Sequence, residues 1–154
     1  MGEETHIVEK ILMKLTVLLT LAAPVLSGSD DYAVPEWAIR GIAWTETRSY
    51  WNAEKEFKYV DRRTGSAGEL GPMQLSPGGF AQVMHAGEHF GTCQKNPDYA
   101  MRLSVRYLLW LRRHTTSWGA AIAAYNVGLH GSRLCGQKYL AKVRNAGMNL
   151  CLPH

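Results

Sequence analysis

Apolar residues recur at helical spacing in five stretches of the chain, separated by segments rich in polar residues, glycine and proline. In the first stretch Pro35 stands at a first helical position, Glu36 lies in the first turn, and Ile39 and Ile42 continue one face as far as Glu46. The pattern predicts a helix over 35–46. Residues 48–71 lose that periodicity and contain Gly65, Gly68 and Gly71, so a loop with a short hairpin is expected there. Ser76-Pro77 opens a second helix running towards His85. Asn96-Pro97-Asp98 opens a third, in which the segment Tyr99 to Arg113 places Leu103, Tyr107 and Trp110 on one stripe and leaves its arginines to solvent. An alanine-rich helix from Trp118 to Tyr125 is halted at Asn126 and Gly128, and a last helix covers 136–144. With no internal repeat and no second block of composition, one compact, mainly α domain is expected, with an irregular loop or short hairpin between its first two helices.

The start of the chain follows a different pattern. Lys14 precedes the apolar run Leu15 to Leu26, after which come the small residues Ser27, Gly28 and Ser29, the order of a secretory signal peptide. The run is 12 residues long and includes Thr16, Thr20 and Pro24, whereas a membrane-spanning helix needs about 20 predominantly apolar residues. Residues 1–28 are therefore read as a leader and 29–154 as the exported domain, acting in the periplasm or outside the cell with no stable membrane insertion. Met13-Lys14 offers an alternative start, because Glu3, Glu4 and Glu9 spoil a positive leader. No cysteine follows the apolar run closely, so lipid attachment has no candidate residue.

Composition fits this picture. Of 154 residues, 46% are hydrophobic and 19% charged, ordinary for a globular protein. Removing residues 1–28 takes away two lysines and three glutamates, so 17 basic and 13 acidic residues become 15 and 10, and the net charge rises from +4 to +5. A cationic exported protein suits a polyanionic partner. The basic residues are dispersed and match no nucleic-acid-binding motif, so nucleic acid is not an expected partner. Cys93, Cys135 and Cys151 would meet an oxidising compartment, which favours one disulfide and one remaining thiol, with Cys135–Cys151 the preferred pair and three reduced thiols the alternative.

Chemistry centres on Glu46. Ile39, Ile42 and Glu46 share a helical face at i, i+3 and i+7, so the carboxyl ends an apolar stripe and is partly desolvated, which raises its pKa as a proton donor near neutral pH requires. Position alone would leave such a carboxylate in solvent. Three ordered blocks point the other way: Glu46-Thr47, then Gly68-Glu-Leu-Gly71-Pro-Met73-Gln74-Leu75, then Ala123-Ala-Tyr125-Asn126-Val-Gly128. In order and spacing they resemble the signature blocks of the soluble lytic transglycosylase family, the SLT domain of the lysozyme-like superfamily. The resemblance covers about Pro35 to Arg144, including Tyr139-Leu-Ala-Lys-Val143 near its end.

The resemblance implies a lysozyme-like fold and cleavage of the MurNAc-β-1,4-GlcNAc bond of peptidoglycan glycan strands, leaving 1,6-anhydromuramoyl ends. It makes Glu46 the catalytic acid and base and lets Thr47, Met73, Gln74, Tyr125 and Asn126 contact the glycan. Gly68 and Gly71 would be structural, allowing a tight turn beside the substrate. Glycosidases ordinarily use two carboxyl groups. In this family the substrate's own 2-acetamido group assists and its 6-hydroxyl attacks C1, so one carboxyl suffices and no metal or organic cofactor is implied. Glu54, Glu56, Asp61 and Glu69 read as carboxylates of a solvated loop. Departures from the family pattern are Thr47 for the usual Ser, Pro72 for the usual Leu, and an upstream Ser matched only with a shift by Thr64 or Ser66.

A goose-type lysozyme would hydrolyse the same bond with water, but an Asp commonly follows its Met-Gln-Val run where this chain has Ser76. A wall-binding component of a secretion or conjugation apparatus could retain the fold without turnover. His85-Ala-Gly-Glu88-His89 formally matches an H-x-x-E-H zinc motif, yet Gly87 inside it weakens the helix such ligands need.

Overall fold

The computed structural model describes residues 33–150, all but the first of which belong to the compact unit that begins at Val34. The expected leader and Cys151 lie outside the described residues. Six helices and one two-stranded hairpin are described: α1 Glu36–Thr47, β1 Tyr50–Trp51, β2 Phe57–Lys58, α2 Pro77–Val83, α3 Thr92–Lys95, α4 Pro97–Arg113, α5 Trp118–Val127 and α6 Arg133–Leu150. The fold is mainly α, as the periodicity predicts. The hairpin pairs antiparallel, with Tyr50 opposite Lys58 and Trp51 opposite Phe57, inside the segment expected to lack helix.

Helix starts follow the polar signals. The side chains of Ser76, Asn96 and Ser117 accept hydrogen bonds from the backbone N–H groups of Gly79, Tyr99 and Ala120 at 2.9, 3.0 and 3.1 Å, capping α2, α4 and α5. Pro35 caps α1 from one position before the helix rather than opening it. Asn126 remains helical, and α5 stops only at Gly128, whose φ of +77° suits glycine. Arg48, at φ +58°, ends α1 in a left-handed conformation unusual for a side-chain-bearing residue, so no glycine signal marks that stop.

The core is a continuous set of apolar side chains that includes Ile42, Met73, Leu75, Leu103, Leu108, Leu111, Ile122 and Val143, all fully buried. α4 lies between α2 and α5, and α1 packs chiefly against α6. Two glycines let the backbones of α1 and α6 come close. A Cβ on Gly41 would enter the space of the Val143 carbonyl, and one on Gly147 that of the Trp37 carbonyl. Cys93 is buried in the core, where desolvation pushes its thiol up to about 11. Cys135 is exposed on the first turn of α6.

The segment Leu70–Leu75 is a closed turn. Leu70 and Leu75 exchange backbone hydrogen bonds of 3.0 and 2.9 Å, with Gly71 at φ +82° and Gln74 at φ +49° inside it. A Cβ on Gly71 would also collide with the Cβ of Ala100 on α4. Gly71→Ala should therefore lose roughly 2–4 kcal/mol of stability, from left-handed strain and overpacking together. Chemical denaturation of the two proteins checks this.

Candidate active site

The end of α1 delivers Glu46 to a cleft of about 540 Å³ whose walls include Arg63, Gly65, Glu69, Gln74, Tyr107, Tyr125 and Asn126. Glu46 is half-buried, and its Oε1 accepts a 2.7 Å hydrogen bond from the hydroxyl of Tyr139 on α6. Burial raises the pKa of the carboxyl above its ordinary 4.5, and the negative charge of Glu69 pushes the same way. The Tyr139 hydrogen bond and the charges of Arg63 and Lys142 oppose the rise without reversing it. Tyr139 is itself buried, and burial beside Glu46 raises its pKa well above the ordinary phenol value, so it stays a donor. With Oε1 occupied by that donor, a proton on the carboxyl belongs on Oε2.

Around this pair the turn Leu70–Leu75 forms one wall. The Gln74 amide nitrogen donates to the carbonyls of Gly71 at 3.0 Å and Arg63 at 3.2 Å, which fixes the side chain at the cleft edge. The Tyr125 hydroxyl donates to the Met73 carbonyl at 3.0 Å, and its ring packs 5.5 Å from that of Tyr107, so α5, α4 and the turn meet behind the cleft. Asn126 is exposed at the rim. Arg63 donates to the backbone carbonyl of Glu46, satisfying a group that the end of α1 leaves unpaired.

Glu46, Gln74, Tyr125 and Asn126 thus line one cleft, and Gly68 and Gly71 adopt φ of +86° and +82°. Two expected glycan contacts do not reach the cleft. Met73 is fully buried and turns its side chain into the core, offering only its carbonyl to Tyr125. Thr47 is fully buried as well. Its hydroxyl lies 2.7 Å from the Pro72 carbonyl and 2.7 Å from the Ser49 hydroxyl. A hydroxyl has one hydrogen, and the Pro72 carbonyl is closer to it than that of Ala43 at 3.1 Å, so Thr47 donates to Pro72 and accepts from Ser49, tying the end of α1 to the turn. Thr47 supplies that hydroxyl, and its methyl group is buried with the rest of the side chain.

Three contributors escaped the sequence reading. Tyr139 fell in a family-like segment with no role attached; its place one face away from Glu46 depends on how α1 and α6 pack. Arg63 and Glu69 sat in a polar loop without periodicity, and only the folded loop shows which of its charges face the cleft. Tyr139→Phe should leave the fold intact, move the alkaline limb of the rate profile to higher pH and lower kcat roughly 10- to 100-fold, because the bond it removes favours the ionised carboxyl and fixes its orientation. A pH series of initial rates would show both changes.

The H-x-x-E-H match is not a helical site. Residues 85–89 form a turn with Gly87 at φ +82°, and the Glu88 carboxylate is held by Arg106 at 2.7 Å and by the backbone N–H of His85 at 2.8 Å. Arg106 keeps the Glu88 carboxyl below its ordinary range despite partial burial.

A mainly α domain with one acidic side chain at the end of its first helix, facing a cleft walled by a glycine-rich turn, belongs to the lysozyme-like class. The family model for the transglycosylase SLT domain matches residues 24–144, most of the chain, and the protein belongs to that family. Membership places it among proteins that act on peptidoglycan. Comparison with curated proteins and with solved structures returned no match. No helix among the described residues is long and apolar enough to cross a membrane.

Proposed function

We propose that this protein is an active lytic transglycosylase which cleaves the MurNAc-β-1,4-GlcNAc bond and leaves 1,6-anhydromuramoyl ends. The observation that carries the reading is the half-buried Glu46 carboxyl, raised in pKa and fixed through Oε1 by Tyr139, at the edge of an open cleft. A carboxyl so placed holds a proton closer to neutral pH than an exposed one does.

In the proposed cycle the proton on Oε2 passes to the glycosidic oxygen as its bond to C1 of the muramic acid breaks. The 2-acetamido group of the same sugar assists from within the substrate. The carboxylate left behind then takes the proton of the sugar's 6-hydroxyl while that oxygen bonds to C1. Glu46 ends the cycle protonated, and no water is consumed. Attack from within one sugar has a high effective concentration, so a second protein base is unnecessary. Gln74, Tyr125 and Asn126 would position the strand.

Residues 29–154 would form the working domain, exported behind the leader and acting at the cell wall. The test is mass analysis of the fragments that the domain releases from purified sacculi. Anhydro ends, each lighter by one water than a reducing end, are expected. Reducing ends alone would place the protein with the goose-type hydrolases, and no release at all would make it a binding component.

A further inference from the structure

Glu69 has a more specific setting than a loop carboxylate should. Its side chain lines the same cleft as Glu46 and is only partly exposed. Its Oε2 accepts a 3.0 Å hydrogen bond from the backbone N–H of Ala67, which holds the head of the side chain in place. That head lies over Gly65, where a Cβ would overlap Oε2 and would come 2.9 Å from Oε1 of Gln74, so the ends of Glu69 and Gln74 converge on a space that only glycine leaves free. The backbone closes the same arrangement, with the Gly65 N–H donating to the Glu69 carbonyl at 2.9 Å.

We infer that Glu69 is the electrostatic counterpart of Glu46: a carboxylate fixed in the cleft wall that stabilises positive charge on the sugar ring as the glycosidic bond breaks. The inference rests on the proposed glycosidic cleavage at Glu46. It needs no new bond to Glu69 and no proton transfer to it. The proton donated by Glu46 goes to the oxygen directly attached to C1, so the positive charge develops within a few bond lengths of the Glu46 carboxyl. An anion whose field reaches that carboxyl also reaches the sugar. The field of Glu69 does reach it, favouring the protonated acid. One charge therefore serves both requirements of the step, a loaded acid and a stabilised cation.

The other groups around Glu46 set the scale. Tyr139 and Lys142 face it from α6 and Arg63 from the loop, and all three favour the ionised carboxyl. Arg63 is partly offset by Asp61 at 3.4 Å. Without Glu69, no carboxylate other than Glu46 itself lines the cleft among the described residues to oppose the two cations.

Two variants separate charge from place. Glu69→Gln keeps an oxygen for the Ala67 N–H and removes the charge. Gly65→Ala keeps the charge and pushes the head of Glu69 aside, while the new Cβ also meets the Glu69 Cβ and the Gln74 Oε1 at 2.9 Å, so its rates are read against its melting temperature. Steady-state rates on purified glycan strands over a pH series, with melting temperatures, give the readout. For Glu69→Gln the expected result is a fall in kcat of about 10- to 100-fold, KM within about twofold of the parent, and an alkaline limb moved to lower pH. Gly65→Ala should lower kcat less than Glu69→Gln does. An unchanged kcat in Glu69→Gln would overturn the inference, as would a raised KM with kcat intact, or rate losses matched by lower melting temperatures in both variants. The transglycosylase reading fails separately, through the product of the unmodified protein, whereas Glu69 is judged on the ratio of rates whichever end is formed.

Discussion

Glu46→Gln should abolish turnover on purified sacculi, with a loss at or above the upper end of the roughly 10²- to 10⁴-fold attributed to a positioned acid or base, because both proton transfers of the proposed cycle pass through this one group. The same change should make the protein more stable. Burial raises the pKa of Glu46 above 4.5, so the folded chain binds its proton more tightly than the unfolded chain does. That contribution is fully present below the unfolded value and is lost as pH rises through the raised folded value. Glutamine has no proton to lose and keeps an oxygen for Tyr139. The melting temperature of the variant should therefore exceed that of the parent at pH 7 to 8, and the gap should close as pH falls below about 4.5. A variant that is inactive and less stable at neutral pH would mean that Glu46 serves the fold.

The second large effect is expected away from the cleft, at Gly41→Ala. The carboxyl and its phenol partner sit on different helices, α1 and α6, and their 2.7 Å bond depends on the close approach of those helices at Gly41 and Gly147. At Gly41 the obstacle to a Cβ is the Val143 backbone carbonyl, which cannot turn aside as a side chain can. Separating two packed helices by even a fraction of an ångström forfeits dispersion contacts along their length. The variant should lose about 3 kcal/mol or more, beyond the usual gain of alanine over glycine in a helix. Denaturant midpoints measure the loss, and kcat of the fraction that remains folded should fall with the Glu46–Tyr139 bond. Stability within about 0.5 kcal/mol of the parent would mean that the helices have slack.

How much of this was legible in the sequence depends on whether a signal was local. Helical periodicity and the polar starts at Ser76 and Asn96 are local, and they located α1, α2, α4 and α5 to within a few residues, but gave no sign of the four-residue α3. The last helix is the main exception. Its apolar pattern covers 136–144, but the helix extends over Arg133–Leu150 because packing on α1 continues to Gly147. The placement of Glu46 at the end of an apolar stripe was also visible, and its partial burial follows.

Positions that face the core and positions that face the cleft cannot be told apart from a motif alone. Met73 and Gln74 are adjacent in the turn, yet the left-handed backbone at Gln74 sends one side chain inward and holds the other at the cleft edge. Thr47 follows the acid directly, about 100° further round the helix, but is fully buried, and its hydroxyl anchors Pro72. Tyr139 is 93 residues from Glu46, and its role exists only once α1 and α6 have packed. The charged loop hid Arg63 and Glu69 for the same reason.

The most direct test of Glu46 as an acid and base that needs no water is digestion of purified sacculi in ¹⁸O-labelled water. Muramoyl ends lighter by one water than reducing ends and free of the label are expected from the unmodified protein, and no new ends from Glu46→Gln. Reducing ends carrying ¹⁸O, or equal turnover by the glutamine variant, would contradict it.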